Sequence, residues 1–143
     1  MKISTKGIYA LEVVADLALH SDAAHLESLK NIAERRKLSE KYLERIVKAL
    51  KDAHIIKSVR GAYGGYCMAK EPQQLTVREV LKAVEGELAP VDCLNQESSC
   101  GIDCRSCPTR DTWAALWQTI AGVADEVTVG DIVRAAEKID KGL

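Results

Sequence analysis

The chain has 143 residues, of which 47% are hydrophobic and 29% are charged. This length and composition suffice for one domain with a modest extension, and they exclude a largely disordered chain. No uncharged apolar run is long enough to span a membrane. Glu12 and Asp16 interrupt the N-terminal apolar stretch at helical spacing, which is typical of an amphipathic helix rather than an export signal. We therefore expect a cytoplasmic protein whose five cysteines serve metal binding or redox sensing rather than structural disulfides.

The charges are unevenly distributed along the chain. The total is −1, from 20 basic and 21 acidic residues, but residues 30–60 contain ten basic and four acidic ones. This segment carries +6 and the remainder −7, so the segment can orient the molecule on a polyanion although the total charge cannot. A solvated helical face would have the same composition, and the place of the segment in the fold decides between the two interpretations.

The first two predicted helices precede most of this basic segment. Ser4 or Thr5 can cap the first helix. Its predicted apolar stripe has helical spacing and consists of Ile8, Leu11, Val14, Ala15, Ala18 and Leu19. A short second helix is expected around Leu29–Arg36, with Leu29, Ile32 and Ala33 as its buried side.

The third predicted helix contains much of the basic charge. Ser39 is a good N-cap, and Leu38 can pack against Leu43 as a hydrophobic staple. The helix then runs to about Ala53, with a buried side formed by Leu43, Ile46, Val47 and Leu50. Two helices joined by a tight turn, the second of them basic, are the outline of a helix-turn-helix.

A predicted hairpin follows directly. Residues 54–59 are rich in β-branched side chains and can pair with residues 66–69, and the six residues between them include three glycines. A hairpin at this position is the wing of a winged helix-turn-helix. A fourth helix begins at Thr76, where Thr76 and Glu79 have the spacing of a capping box.

This outline predicts which side chains contact duplex DNA, because a helix in the major groove presents its N-terminal residues to base edges and its flanks to phosphates. Lys41 and Arg45 can donate to guanine or phosphate, and Glu44 can accept from cytosine. Arg60, in the wing, suits a narrow minor groove. The predicted DNA-binding residues are Ser39, Lys41, Tyr42, Glu44, Arg45, Lys48, Arg60 and Tyr63. Contacts to the phosphate backbone are also expected from Lys30, Arg35, Arg36 and Lys37.

Four cysteines share one predicted loop. Their pattern, Cys93-x6-Cys100-x3-Cys104-x2-Cys107, is too dense for core filling on a segment poor in apolar residues. Four thiolates suit tetrahedral zinc, three or four suit an iron–sulfur cluster, and Cys104 with Cys107 can form an oxidisable dithiol. Cys67 lies apart and is interpreted as a small buried hydrophobe.

A long helix follows the cysteine loop, with Thr109 as its predicted cap. Its apolar stripe consists of Trp113, Leu116, Trp117, Ile120 and Val123. An exposed stripe of this kind needs a cover, and a twofold-related copy provides one, the alternative being the first helix of the same chain. A final helix is expected over 129–139. The predicted organisation is a DNA-binding domain over 1–87, a cysteine-rich loop over 88–108, and a dimerisation helix with a C-terminal helix over 109–143.

Four segments together resemble one family. They are residues 1–11 (MKISTKGIYAL), 39–44 (SEKYLE), 60–66 (RGAYGGY) and 107–113 (CPTRDTW). Over essentially the whole chain the sequence resembles the Rrf2-type small winged-helix repressors, which include IscR, NsrR and CymR. The resemblance implies a homodimer joined through the long helix and bound to an imperfect palindrome in double-stranded DNA. It also implies that Tyr42 and Glu44 face the major groove, that Arg60 enters the minor groove, and that Cys93, Cys100 and Cys107 ligate a cluster.

The chain departs from the cluster-binding branch in three places. Arg110 stands where that branch carries a histidine, Cys104 is an additional thiol, and the wing residues Ala62 and Tyr63 look closer to the cysteine-metabolism branch, which lacks a cluster. The leading hypothesis is a regulator that senses cluster status, redox state or nitric oxide through a 2Fe–2S or 4Fe–4S cluster. The alternative is a zinc- or thiol-controlled repressor without a cluster. No catalytic triad, phosphate loop or carboxylate pair indicates an enzyme.

Overall fold

The computed structural model describes residues 2–94 and 100–142, so residues 95–99 of the predicted cysteine loop lie outside the described part. The helices and strands, in chain order, are α1 (Thr5–His20), α2 (Leu29–Arg36), α3 (Glu40–Asp52), β1 (Ile56–Val59), β2 (Gly65–Met68), α4 (Val77–Glu85), α5 (Arg110–Glu126) and α6 (Val129–Asp140). Two short 3-10 turns lie at Pro72–Gln74 and Asp92–Leu94. Among the described residues, no helix is both long and apolar enough to cross a lipid bilayer.

Helix α1 is the centre of the core. Ser4 caps it by accepting from the backbone N–H of Gly7, and α1 packs against α3, α4 and α6. Its buried apolar positions are Ala10, Val13, Val14, Ala15 and Leu17. The predicted stripe was wrong in part, because Ile8 is 50% exposed while Asp16 is buried. The buried face of the helix is centred on Ala10, Val13, Val14 and Leu17, so it is rotated from the predicted stripe.

The helix-turn-helix agrees closely with its prediction. Helix α2 ends in a left-handed residue, Lys37, with φ of 55°, and Ser39 caps α3 by accepting from the backbone N–H of Tyr42. The buried residues of α3 are Leu43, Ile46, Val47 and Leu50, as the i, i+3, i+4, i+7 spacing predicts. This packing leaves the opposite, charged face of α3 exposed.

The wing is an antiparallel pair in which Ile56 lies opposite Met68 and Val59 opposite Gly65. Its tip is tight: a Cβ on Gly64 would lie 2.1 Å from the carbonyl oxygen of Val59. On the other side of β2, the backbones of Glu27 and Tyr66 exchange two hydrogen bonds, of 2.9 and 2.8 Å. The chain leading into α2 is thereby attached to the wing.

Helix α6 closes the core beside the start of α4. Both helices begin with a capping box, formed by Thr76 with Glu79 and by Thr128 with Asp131. Backbone hydrogen bonds join the two starts, since Val129 N–H donates to the carbonyl of Leu75 at 2.8 Å. Val129 is fully buried as a result.

Helix α5 packs on α4 and leaves most of its apolar stripe exposed. Trp113, Leu116, Ile120 and Val123 are exposed large hydrophobics, whereas Trp117 is half-buried. The predicted cap is wrong in detail, because Thr109 has helical φ and ψ and its side chain makes no capping hydrogen bond. That hydroxyl lies instead beside a cysteine thiol of the loop.

Candidate nucleic-acid interface and cysteine loop

The outward face of α3 carries four of the predicted DNA-binding side chains. Lys41, Glu44, Arg45 and Lys48 are exposed, and Lys48 has an ion pair with Asp52 at 3.8 Å along the same helix. An exposed ion pair at i, i+4 contributes only about 0.3–0.5 kcal/mol, so it does not withhold Lys48 from a polyanion. The charged face of α3 is therefore open to a ligand.

Ser39 and Tyr42, also predicted to contact DNA, have structural roles as well. The Ser39 hydroxyl caps α3, and the half-buried Tyr42 ring meets the ring of Tyr9 edge to face, with centroids 5.6 Å apart. A surface depression at the start of α3 is lined by Ser39, Lys41, Tyr42 and Arg45. Packing against Tyr9 restricts the Tyr42 side chain, and Tyr42 forms part of the wall of this depression.

The other two predicted contacts lie in the wing turn. Arg60 and Tyr63 are both exposed, as is the neighbouring Val59. Strand β1 packs against α3, so the wing is built directly onto the helix-turn-helix. Tyr63 and Arg60 are therefore both open to a ligand at the wing turn.

The four loop cysteines differ in their surroundings. Cys93 lies in a 3-10 turn and is half-buried, Cys107 is half-buried, and Cys100 and Cys104 are exposed. A turn brackets Cys104, because the carbonyl of Asp103 accepts from the backbone N–H of Ser106 at 3.1 Å. Within the described residues, no three cysteine, histidine or acidic side chains converge as a ready metal site. The fifth cysteine, Cys67, is buried, as predicted.

Cys107 is the thiol whose ionisation the structure favours. Its Sγ lies 3.5 Å from Thr109 Oγ1. Hydrogen bonds from the Thr109 side chain and backbone, with smaller contributions from Arg110, lower the pKa of Cys107 below its ordinary value. A thiolate is both the metal-binding and the nucleophilic form of cysteine, so Cys107 is prepared for either chemistry.

Arg110 has a role that sequence reasoning missed. It is the first residue of α5, and its Nη1 donates to the backbone carbonyl of Cys93 at 3.1 Å. The two ends of the cysteine loop are thereby tied together. The signal in the sequence is an arginine three residues after Cys107, which does not specify a partner 17 residues upstream.

A capped basic helix after a tight turn, followed by a glycine hairpin, defines the winged helix-turn-helix class of DNA-binding protein. Residues 3–135 match the family model of Rrf2, described as an iron-dependent transcriptional regulator. The chain belongs to the Rrf2 family of transcriptional regulators, which are not enzymes, and the predictions of fold, family and non-enzymatic function are confirmed.

The chain is similar to three relatives from two branches of the family. It is 38% identical to the HTH-type transcriptional regulator CymR of Bacillus subtilis over 133 residues, 92% of this chain and 89% of the relative. The CymR structure superposes with a TM-score of 0.77, covering 94% of this chain and 98% of CymR. Escherichia coli IscR is 32% identical over 98% of this chain and 85% of its own length. The structure of T. potens IscR is 36% identical, with a TM-score of 0.76 and coverage of 97% and 90%.

Proposed function

We propose that this DNA-binding regulator acts as a cytoplasmic homodimer on a palindromic operator, with α3 in the major groove and the wing tip in the adjacent minor groove. The exposed charged face of α3 is the observation that carries this proposal: Lys41, Arg45 and Lys48 project on the side opposite the buried residues of α3. Arg60 extends the positive charge into the wing. A narrow minor groove has the more negative potential and attracts such an arginine.

The dimer is supported by helix α5. Its apolar stripe is largely exposed, and a second copy of the same stripe is a self-complementary cover for it. Pairing two chains through α5 presents two copies of α3 to one duplex. A palindromic operator matches this twofold symmetry.

A gel-shift titration at fixed salt, on a duplex that the wild-type chain selects from a randomised pool, tests the DNA contacts. Arg45→Ala and Arg60→Ala are each expected to weaken binding by at least several-fold, because each removes a guanidinium exposed on the reading surface. Lys138→Ala removes one exposed positive charge on α6, outside the helix-turn-helix and the wing, and is the control. Wild-type affinity in both arginine variants refutes the proposed reading surface.

For the sensory part, we propose that the loop holds an iron–sulfur cluster through Cys93, Cys100 and Cys107, with Cys104 as the local candidate for a fourth ligand. The donor set fits such a group, since four thiols lie within 15 positions and the pKa of Cys107 is lowered towards the thiolate by Thr109. When bound, the cluster supplies a redox-labile centre. Arg110 holds the carbonyl of Cys93 at the start of α5, so the geometry of the loop is connected to the proposed dimerisation helix.

A thiol- or zinc-controlled regulator is the second candidate, and Arg110 favours it. A guanidinium is an unsuitable metal ligand at neutral pH, and here it donates to a backbone carbonyl. Under this alternative the DNA contacts are the same, and the Cys107 thiolate with Cys104 forms the reactive pair.

Anaerobic purification separates the two sensors. Visible absorption with matching iron and sulfide counts, lost in Cys100→Ala but retained in Cys67→Ala, is the result expected for a cluster. Protein that is colourless even after reconstitution with iron and sulfide refutes it. Stoichiometric zinc, or neither metal, favours the alternative.

A further inference from the structure

Asp16 is a charged residue that the fold buries completely. Its exposure is 0%, and it faces the last turn of α2 from the middle of α1. Arg35 binds it with both prongs of its guanidinium, from Nη2 to Oδ1 at 2.8 Å and from Nε to Oδ2 at 3.0 Å. The Nε of Arg36 donates to the same Oδ2 at 3.1 Å. The buried carboxylate thus accepts three charge-assisted hydrogen bonds, the arrangement that such a charge requires.

The two arginines extend this cluster to the surface. Arg35 Nη2 also donates to Glu27 Oε2 at 2.6 Å, and Arg36 Nη1 to Glu12 Oε2 at 3.1 Å. The hydrogen bonds from Arg35 to Asp16 and Glu27 raise the pKa of Arg35 above its ordinary value, and the bonds to Asp16 have the largest effect. Three carboxylates surround two guanidinium groups, so the cluster has no surplus of positive charge to offer a phosphate.

The cluster joins the elements that carry the proposed DNA contacts. Arg36 is the last residue of α2, three residues before Ser39, the cap of α3. Glu27 exchanges two backbone hydrogen bonds with Tyr66 of the wing. Through Arg36 the carboxylate of Asp16 restrains the entry into α3, and through Arg35 and Glu27 it restrains the wing.

We propose that Asp16 is a positioning residue for DNA binding, which sets α3 and the wing relative to each other, and that Arg35 and Arg36 serve this cluster instead of contacting phosphates. The inference rests on the proposed DNA-binding function. It replaces the sequence-based expectation that both arginines contact the DNA backbone, because their guanidinium groups are occupied by carboxylates and their side chains are only 34% and 27% exposed.

The salt dependence of binding distinguishes positioning from phosphate contact. A contact that neutralises one phosphate contributes about 0.9 to the slope of log K against log salt. The experiment measures this slope by fluorescence anisotropy on the selected duplex and on a scrambled duplex of equal length. Arg36→Gln is compared with Arg45→Gln, a matched variant that removes the same charged group from the exposed face of α3.

We expect Arg36→Gln to weaken binding to the selected duplex about tenfold, through misplacement of α3, with an unchanged slope. Arg45→Gln is expected to lower the slope by about one. Asp16→Asn, checked for folding by circular dichroism, is expected to weaken selected-duplex binding at least about tenfold while binding to the scrambled duplex changes little. General loss of folded protein would weaken both equally.

An equal fall in slope for the two arginine variants overturns the inference, and so does wild-type affinity in Arg36→Gln or undiminished discrimination between the duplexes in Asp16→Asn. If Asp16→Asn does not fold, Arg35→Lys replaces it, since it keeps the charge and removes the two-pronged geometry. Failure of the wild-type chain to bind any duplex refutes the proposed function itself, and is thereby distinguished from failure of the positioning role.

Discussion

A single glutamate in α5 tests the proposed dimer. Val123 is 58% exposed and lies on the apolar stripe of α5. Val123→Glu therefore removes little intrachain packing, and the monomer is expected to keep its fold. In a twofold dimer the substitution occurs twice at one interface, so its effect on association is doubled.

The structure sets the size of the effect. Covering the exposed part of Val123 yields about 1 kcal/mol per chain, a little over half of the roughly 1.5–3 kcal/mol for full burial of such a side chain. Burying an ionised carboxylate in its place costs several kcal/mol more per chain. The two copies together are expected to weaken the dimer by at least about 4 kcal/mol, which is roughly a thousandfold in its Kd.

Sedimentation velocity over a range of protein concentrations measures this Kd, and circular dichroism checks the fold. Ile139→Glu is the control, because it places the same charge at an aliphatic residue of α6 that is 74% exposed and outside the stripe. The control is expected to associate like the wild type. A Val123→Glu protein that is folded and dimerises with wild-type Kd refutes the assignment of α5 as the dimer interface.

Three further predictions concern the wing, the loop and a helix cap. Gly64→Ala is expected to abolish high-affinity DNA binding in a gel shift, because the added Cβ would lie 2.1 Å from the carbonyl oxygen of Val59. Ala62→Ser, in the same turn, is the control and is expected to bind like the wild type. Thr109→Val is expected to slow the alkylation of Cys107 by iodoacetamide in reduced, metal-free protein at neutral pH. Losing the Thr109 hydroxyl raises the pKa of the Cys107 thiol and so reduces its thiolate fraction. An unchanged alkylation rate contradicts this cause. Glu79→Gln is expected to lower Tm at pH 7, and the difference from wild type is expected to close as the pH falls below about 4. The reason is that the pKa of Glu79 is lowered in the folded chain, chiefly by the hydrogen bond from the Thr76 backbone N–H. The carboxylate therefore stabilises the fold above its unfolded pKa, and this contribution is lost when it is protonated. A difference that persists in acid shows that the glutamate charge is not the cause.

Local signals predicted the DNA-reading unit well. Ser39, the apolar spacing from Leu43 to Leu50 and the three glycines of the turn are sufficient to specify α3 and the hairpin. Each of these signals acts within a few residues, since a cap or a tight turn is satisfied by its own neighbours in the chain. The structure then added that the charged side of α3 faces solvent.

Long-range partners were not predictable in the same way. Asp16 was interpreted as a polar interruption of α1, yet it is buried because Arg35 and Arg36, about 20 residues away, satisfy its charge. Ile8 was expected in the core and is half exposed. Periodicity shows that a helix has an apolar face, but it does not show which neighbouring elements pack on the helix or where an ion pair is completed.

The cysteine loop shows the same division. The spacing of the four thiols indicated metal or redox chemistry directly from the sequence, because coordination and disulfide exchange depend first on which donors are present. The tie between Arg110 and Cys93 exists only once the start of the loop meets the start of α5, 17 residues along the chain, whereas the hydrogen bonds that favour the Cys107 thiolate come from its close neighbour Thr109. The sequence by itself determined the elements and the reactive groups, whereas tertiary packing decided which charges are buried, paired or open to a ligand, since those properties depend on contacts between residues far apart in the chain.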